Sequence, residues 1–289
     1  MKRILKPVWL LLLPFFVLAG CSLITPGETE FHAIIIGINE YIEPTINDLK
    51  YCVNDANGMN DRLLQRGWHD SEITLLLDGE ATKDAILQAI ESAVDSCRPE
   101  DYILVYFSGH GTGVSDSSGD EYDGVDEAIV PVDFVGGDPS TLVLDDELGA
   151  SFDGCRTEKG VFIFDSCNSG GIVSTLMQAS AGVQSRYFPA DARGGGGENG
   201  DLDVIHIPVM TASAEDEDSF EYASLQHGAF TYFILEGLSG HSADSNSDGY
   251  ITIREVFNYA EIQTEHYTGQ YQHPLLRFHR NFLDILITR

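Results

Sequence analysis

Apolar residues in this chain come in short unbroken runs, and the stretches between them repeat with a helical period. Residues 32–37 form an apolar run closed by Gly37, the pattern of a strand buried on both faces. Residues 54–66 place Met59, Leu63 and Leu64 on one helical face. A strand is predicted over 72–77. An amphipathic helix follows over 82–96, with Ile86, Leu87, Ile90 and Val94 on one side. Strands are then expected at 102–107, 161–164 and 204–210, and helices at 145–152 and 230–238. Continuous apolar strands alternating with helices predict an α/β fold, a mostly parallel sheet with helices on both faces. In such sheets sites form beyond the carboxyl ends of the strands. His110 and Cys167 each sit just past such an end. Residues 184–201, with four consecutive glycines from Gly194, carry no period and read as a mobile loop. No internal repeat and no second domain are visible.

The N-terminus departs from this alternation. Lys2, Arg3 and Lys6 form a basic start, residues 8–18 are almost wholly apolar, and Leu18, Ala19, Gly20 and Cys21 follow. The run is shorter than the ~20 residues a spanning helix needs, and it fits a secretory signal peptide. Its ending resembles the lipobox of bacterial lipoproteins, which implies cleavage before Cys21 and acylation of that residue as a membrane anchor. The resemblance divides the chain into a signal peptide (1–20), a tether (21–30) and one domain (31–289). Ser22 after the cysteine implies outer-membrane sorting in a two-membrane bacterium.

Charge narrows the partners. The chain carries 16 Lys and Arg against 46 Asp and Glu, a net charge of −30. Removal of the leader, with its three basic residues, takes this to −33. So acidic a chain is not built for nucleic acid, whose phosphates need Lys and Arg; it suits calcium or a basic substrate. With Cys21 assigned to lipid, Cys52, Cys97, Cys155 and Cys167 remain. Four cysteines in a domain this size are no disulfide framework. A Cys97–Cys155 bond is left open.

Cys167 lies among small residues, Asp165, Ser166, Asn168, Ser169, Gly170 and Gly171. These leave room for a carbonyl beside the thiol, and a neighbouring imidazole would raise the thiolate fraction. His110 is flanked by Gly109 and Gly111. The N–H groups of Gly111 and Cys167 are candidate donors to a developing oxyanion. Tyr106, Phe107, Ser108, Gly109, His110 and Gly111, with Asp165 through Gly170, resemble the His and Cys boxes of metacaspases and bacterial orthocaspases. The histidine precedes the cysteine by 57 residues, where about 50 is usual for caspases. Further similarity lies in residues 34–39, 49–55, 129–133 and 228–232. The resemblance implies a caspase-like three-layer sandwich and a cysteine endopeptidase with Cys167 as nucleophile and His110 as acid/base. No third catalytic member is evident. Asn168 stands where metacaspases often carry His.

The same resemblance implies cleavage after Arg or Lys. In that family the pocket is built by residues that here are Cys52, Asp55, Ser108 and Asp165. Paired carboxylates bind a guanidinium and reject an acidic side chain. Arg186 and Arg193, in the glycine-rich stretch, are then candidate self-cleavage sites.

Residues 244–255 fit an EF-hand calcium loop throughout. Asp244, Asn246 and Asp248 offer side-chain oxygens, Gly249 the turn, Tyr250 its carbonyl, Thr252 a direct or water-mediated ligand, and Glu255 a bidentate carboxylate. Residues 230–238 and 253–267 would flank it. The bland reading is an acidic turn capping the next helix. Metacaspase resemblance implies a second calcium site at Asp126, Asp145 and Asp146, with Ser174 where the family has a further Asp. The acid run 116–127 otherwise reads as a solvated loop. The competing function is a catalytically silent calcium-binding lipoprotein acting as an interaction module.

Overall fold

The computed structural model describes residues 29–115, 125–166, 183–186, 207–214, 217–277 and 287. In chain order the first half contains β1 (Phe31–Gly37), α1 (Cys52–Gln65), β2 (Ile73–Leu77), α2 (Lys83–Ser96), β3 (Tyr102–Ser108), β4 (Gly111–Ser115), β5 (Val125–Ile129), β6 (Val143–Leu144) and α3 (Asp145–Ser151). The second half contains β7 (Gly160–Asp165), β8 (Val183–Arg186), β9 (Val209–Thr211), β10 (Ser219–Tyr222), β11 (His227–Gly228), α4 (Ala229–Leu238), α5 (Ile253–Thr268) and β12 (Leu275–Arg277).

The central sheet has the order β12-β9-β7-β3-β1-β2. All its pairings are parallel except β12 against β9. Alternation along the strands feeds two cores. Ala33 and Ile35, Leu104 and Tyr106, and Val161 and Ile163 pack with Met59 and Leu63 of α1, Phe230 and Ile234 of α4, and Val256 and Ala260 of α5. Ile34 and Ile36, Val105 and Phe107, and Phe162 and Phe164 pack with Ile86, Ile90 and Val94 of α2 and Leu148 of α3. The sheet is therefore the middle layer of three, as the apolar runs predict. The helix periods place α1, α2, α4 and α5 within two residues of their expected starts. Thr82 caps α2, its hydroxyl accepting from the Ala85 N–H at 3.2 Å.

Two small sheets depart from the sequence reading. β4, β5 and β6 form one, and β8, β10 and β11 the other. Asp126 and Glu127 are buried in β5 rather than solvated in a loop; cross-strand pairing with Val114 and Gly113 of β4 draws them in. Residues 184–186, expected in the mobile loop, are strand, paired antiparallel with β10. Of the strand expected over 204–210, residues 207–210 are described, and β9 begins at Val209.

Close packing at β1 sets the position of α1. A Cβ on Gly37 would lie 2.6 Å from both the Ala56 Cβ and the Cys52 carbonyl oxygen. Gly37→Ala should thus cost about 1–3 kcal/mol through overpacking, measured as a lowered urea midpoint at unchanged slope. At the opposite end of the sheet, Asp101 is fully buried and accepts from the Glu30 N–H and from the Arg98 N–H and guanidinium, each at 2.8 Å. Burial pushes the Asp101 carboxyl up, but these donors outweigh it and hold it at about 2. Its folded value is depressed, so its stabilisation is present above the ordinary value of 3.8 and lost as pH falls through about 2. Asp101→Asn should be less stable at pH 7 by about 1–2 kcal/mol, allowing for screening at the part-exposed Arg98. The gap to the parent should close towards pH 2 in acid-denaturation scans.

Candidate active site

β3 and β7 lie side by side, with Ser108 opposite Asp165. His110 and Cys167 are each two residues beyond this pair. His110 is 8% exposed. Its N–H donates to the Tyr41 hydroxyl at 2.8 Å, and its carbonyl accepts from Val130 at 2.9 Å. The Tyr41 ring packs on the imidazole with centroids 5.1 Å apart. Gly109 makes this approach feasible, since a Cβ there would sit 2.7 Å from Phe107 and 3.0 Å from the Tyr41 hydroxyl.

The His110 Nε2 lies 2.8 Å from the Asn47 carbonyl oxygen. A carbonyl can only accept, so Nε2 carries the proton and the neutral ring has its basic lone pair on Nδ1. The Asn47 carbonyl is thus the orienting partner that the sequence did not reveal, because a backbone oxygen has no residue-type signature. Gly111 opens β4 opposite Ile129. Cys167 itself, Cys21, Arg193 and Ser174 lie outside the described residues.

The predicted pocket residues are brought together. Cys52 opens α1 and Asp55 follows one turn later, both fully buried. Asp55 Oδ2 accepts from the Ser108 hydroxyl at 2.9 Å, and Oδ1 from His227 Nδ1 at 2.8 Å. The Gly228 N–H reaches both oxygens at 3.1 and 3.2 Å. Asp165, also fully buried, accepts from the Ser219 hydroxyl at 2.8 Å and from the Thr231 N–H and hydroxyl at 3.1 and 2.6 Å. Neither α1 nor α4 has a side-chain cap of its own. Asp55 and Asp165 serve α4, and Glu221 of β10 accepts from the Lys50 and Tyr51 N–H groups before α1. The sequence reading missed His227, Ser219, Glu221, Thr231 and Tyr41. Of these only Thr231 stood in a stretch matched to the family.

In the acidic loop after α4, the Asp244 carboxylate accepts from Asp248 and Gly249, the Asn246 Oδ1 from Asp248, and the Asp248 Oδ1 from Tyr250, all N–H donors. Gly249 has φ +89°, a conformation that suits glycine. Glu255 turns onto the N–H groups of Ser245, Asn246 and Thr252, and Thr252 caps α5 in return. Burial raises the Glu255 carboxyl, and these donors outweigh it, leaving it below its ordinary value. Asp126 in β5 and Asp145 at the start of α3 are buried, and the pairing of Ala128 with Leu144 sets β5 beside β6, the strand that leads into α3. Asp146 is the second residue of the same helix. Among the described residues the trio of ligand atoms found within 4.8 Å is His32, Cys97 and Asp101; there Asp101 is already taken by Arg98 and Glu30. Cys97 and Cys155 are free thiols. Burial pushes Cys97 up to about 12 and Cys155 upwards, which disfavours the thiolate in both.

A three-layer α/β sandwich with a backbone-oriented histidine at one strand end, beside the strand leading to a cysteine, is a caspase-like domain. The caspase domain family model matches residues 30–283, and the chain belongs to that family. Metacaspase-2 of Arabidopsis thaliana is 35% identical over 233 residues, 75% of this chain and 54% of that relative. Metacaspase-1 of Schizosaccharomyces pombe is 35% identical over 268 residues, 81% of this chain and 60% of that relative. The chain thus spans little more than half the length of these relatives. A crystal structure of a Geobacter sulfurreducens protein shares the fold with a TM-score of 0.60 at 20% identity, covering 88% of this chain and 97% of that one.

Proposed function

We propose that this chain is a cysteine endopeptidase that cleaves after Arg or Lys. The observation that carries the reading is His110, locked through Nε2 to the Asn47 carbonyl, at a strand end next to the strand that leads to Cys167. Nδ1 takes the Cys167 proton, and the thiolate attacks the scissile carbonyl. The N–H groups of Gly111 and Cys167 receive the oxyanion. The imidazolium then protonates the leaving amine as the C–N bond breaks. Water, deprotonated by Nδ1, hydrolyses the thioester and regenerates the thiol.

The basic preference rests on Asp55, which accepts from the Ser108 hydroxyl, and Asp165, opposite Ser108 on β7; both are closed to solvent, where a carboxylate interacts far more strongly than in water. An acidic side chain entering this region would meet two like charges. Cys21 is the proposed lipid anchor and the cell envelope the proposed location. Arg186, at the end of β8, is held in a ladder opposite Ser219, so cutting there requires that strand end to fray.

The all-oxygen donor set of 244–255 and the turn at Gly249 fit calcium. Asp244, Asn246, Asp248, Tyr250, Thr252 and Glu255 would hold it, and the ion would take Glu255 from its backbone donors. Asp126, Asp145 and Asp146 are a second proposed position. Calcium supplies charge compensation in this acidic region, and all the chemistry stays with Cys167 and His110.

The test uses the full chain in detergent, with Cys167→Ala alongside, against fluorogenic peptides bearing Arg, Lys or Asp before the scissile bond. Cleavage after Arg or Lys, lost at least about 1,000-fold in Cys167→Ala, is expected. Folded protein that cleaves none of them would instead point to the silent calcium-binding module. Intact mass of both proteins reads self-cleavage. Calcium should raise the melting temperature of Cys167→Ala, and Glu255→Gln should remove most of that rise.

A further inference from the structure

We infer that His227 is a positioning residue that tunes the charge of the substrate pocket with pH, an inference that rests on the basic-residue specificity proposed above. His227 is the first residue of β11, and its Nδ1 lies 2.8 Å from Asp55 Oδ1. Asp55 is fully buried, whereas the His227 side chain is 22% exposed. The imidazole therefore sits between a buried carboxylate and solvent.

The backbone before it is held in an unusual state. Gln226 has φ +56°, left-handed backbone that non-glycine residues rarely adopt. Its carbonyl accepts from the Asn54 side chain at 3.1 Å, and its N–H donates to the Tyr222 carbonyl at 2.8 Å. Asn54 is the neighbour of Asp55 on α1. The strained turn and the carboxylate are thus tied to the same helical turn. This arrangement sets the ring against Asp55, with the Gly228 N–H beside it. Strain of this kind persists where the surroundings impose it, and it is concentrated at functional sites.

The chemistry follows from the ring's two nitrogens. A carboxylate only accepts, so Nδ1 holds a proton and donates to Asp55. The neutral ring then orients Asp55 and leaves its charge intact for an incoming guanidinium or ammonium. Protonation at Nε2 places a full positive charge against Asp55 and repels a basic side chain. Among the described residues the ionisable groups set against His227 are Asp55 on α1, Tyr232 on α4, whose ring centroid is 6.1 Å away, and Tyr222, its cross-strand partner on β10. On β10, Glu221 is directed to the Lys50 and Tyr51 N–H groups. The carboxylate is therefore the partner whose charge the imidazole offsets, and imidazole is the side chain that gains its charge between pH 5 and 8.

Asparagine can place an amide N–H near the Nδ1 position without titrating, and alanine removes the donor. The experiment measures kcat and KM for a peptide with Arg before the scissile bond, from pH 5.5 to 8, for wild type, His227→Asn and His227→Ala. The wild-type KM should rise about tenfold towards pH 5.5, and the KM of His227→Asn should stay flat. In His227→Ala the KM should be raised at every pH. The pH profile of kcat should have the same shape in all three. Parallel KM profiles for wild type and His227→Asn would overturn the inference while cleavage after Arg left the specificity standing. Wild type that cleaves after neither Arg nor Lys would overturn both. Should His227→Ala not fold, the asparagine comparison alone decides.

Discussion

Two helix starts and three buried carboxylates hold one another in place, and the rest of the site depends on that exchange. The first N–H groups of a helix have no partner within it, and a carboxylate buried alone costs several kcal/mol. Here each deficit meets the other. Asp165 from β7 and Asp55 from α1 accept from the Thr231 and Gly228 N–H groups at the start of α4. Glu221 from β10 accepts from the Lys50 and Tyr51 N–H groups at the start of α1. Each helix is capped by a residue from elsewhere in the fold. The positive end of each helix dipole favours the charged form of the carboxylate that caps it. Replacing one of these carboxylates leaves helix N–H groups without their acceptor, so the carboxylate cluster and the packing of α1 and α4 are one structural unit.

This explains why the second half of the chain matters to residues supplied by the first. Asp55, Ser108 and His110 come from the stretch before β4, whereas Ser219, His227, Gly228 and Thr231, which donate to Asp55 and Asp165, come from 219–231. Segment 219–231 runs through β10, β11 and the first turn of α4, and it delivers Ser219, His227, Gly228 and Thr231 in sequence. Its own hold is the small sheet with β8 and the Gln272 side chain, which donates to the Ala212 carbonyl and accepts from the Phe220 N–H. The hydrogen bonds to Asp55 and Asp165 are complete only when this belt is docked against α1 and β7.

Much of the fold is legible in the chain because the central strands are buried on both faces. Runs such as 102–107 and 161–164 are apolar throughout, and the helices between them keep their period. The small sheets were hidden for the converse reason. β5 carries Asp126 and Glu127, and β10 carries Ser219 and Glu221, polar residues whose burial depends on partners distant in sequence. β6 and β11 have two residues each, too few to show a period. His110 was singled out through its glycine neighbours, and Asp55 and Asp165 through resemblance to metacaspases. His227 carries no local signal, because its contact with Asp55 spans 172 residues of chain.

The sequence by itself determined the layered α/β architecture, the two strand ends that carry His110 and lead to Cys167, and the oxygen-rich loop at 244–255. These are set by local composition: apolar continuity, helical period, and glycine or acidic residues at fixed offsets. Only the tertiary structure decided which nitrogen of His110 is protonated, that the Asn47 carbonyl orients it, and that α4 is capped by carboxylates from α1 and β7. Those outcomes depend on backbone groups and on residues brought together over more than 50 positions of chain. Neither leaves a pattern in sequence, because a hydrogen bond records where two groups meet in space.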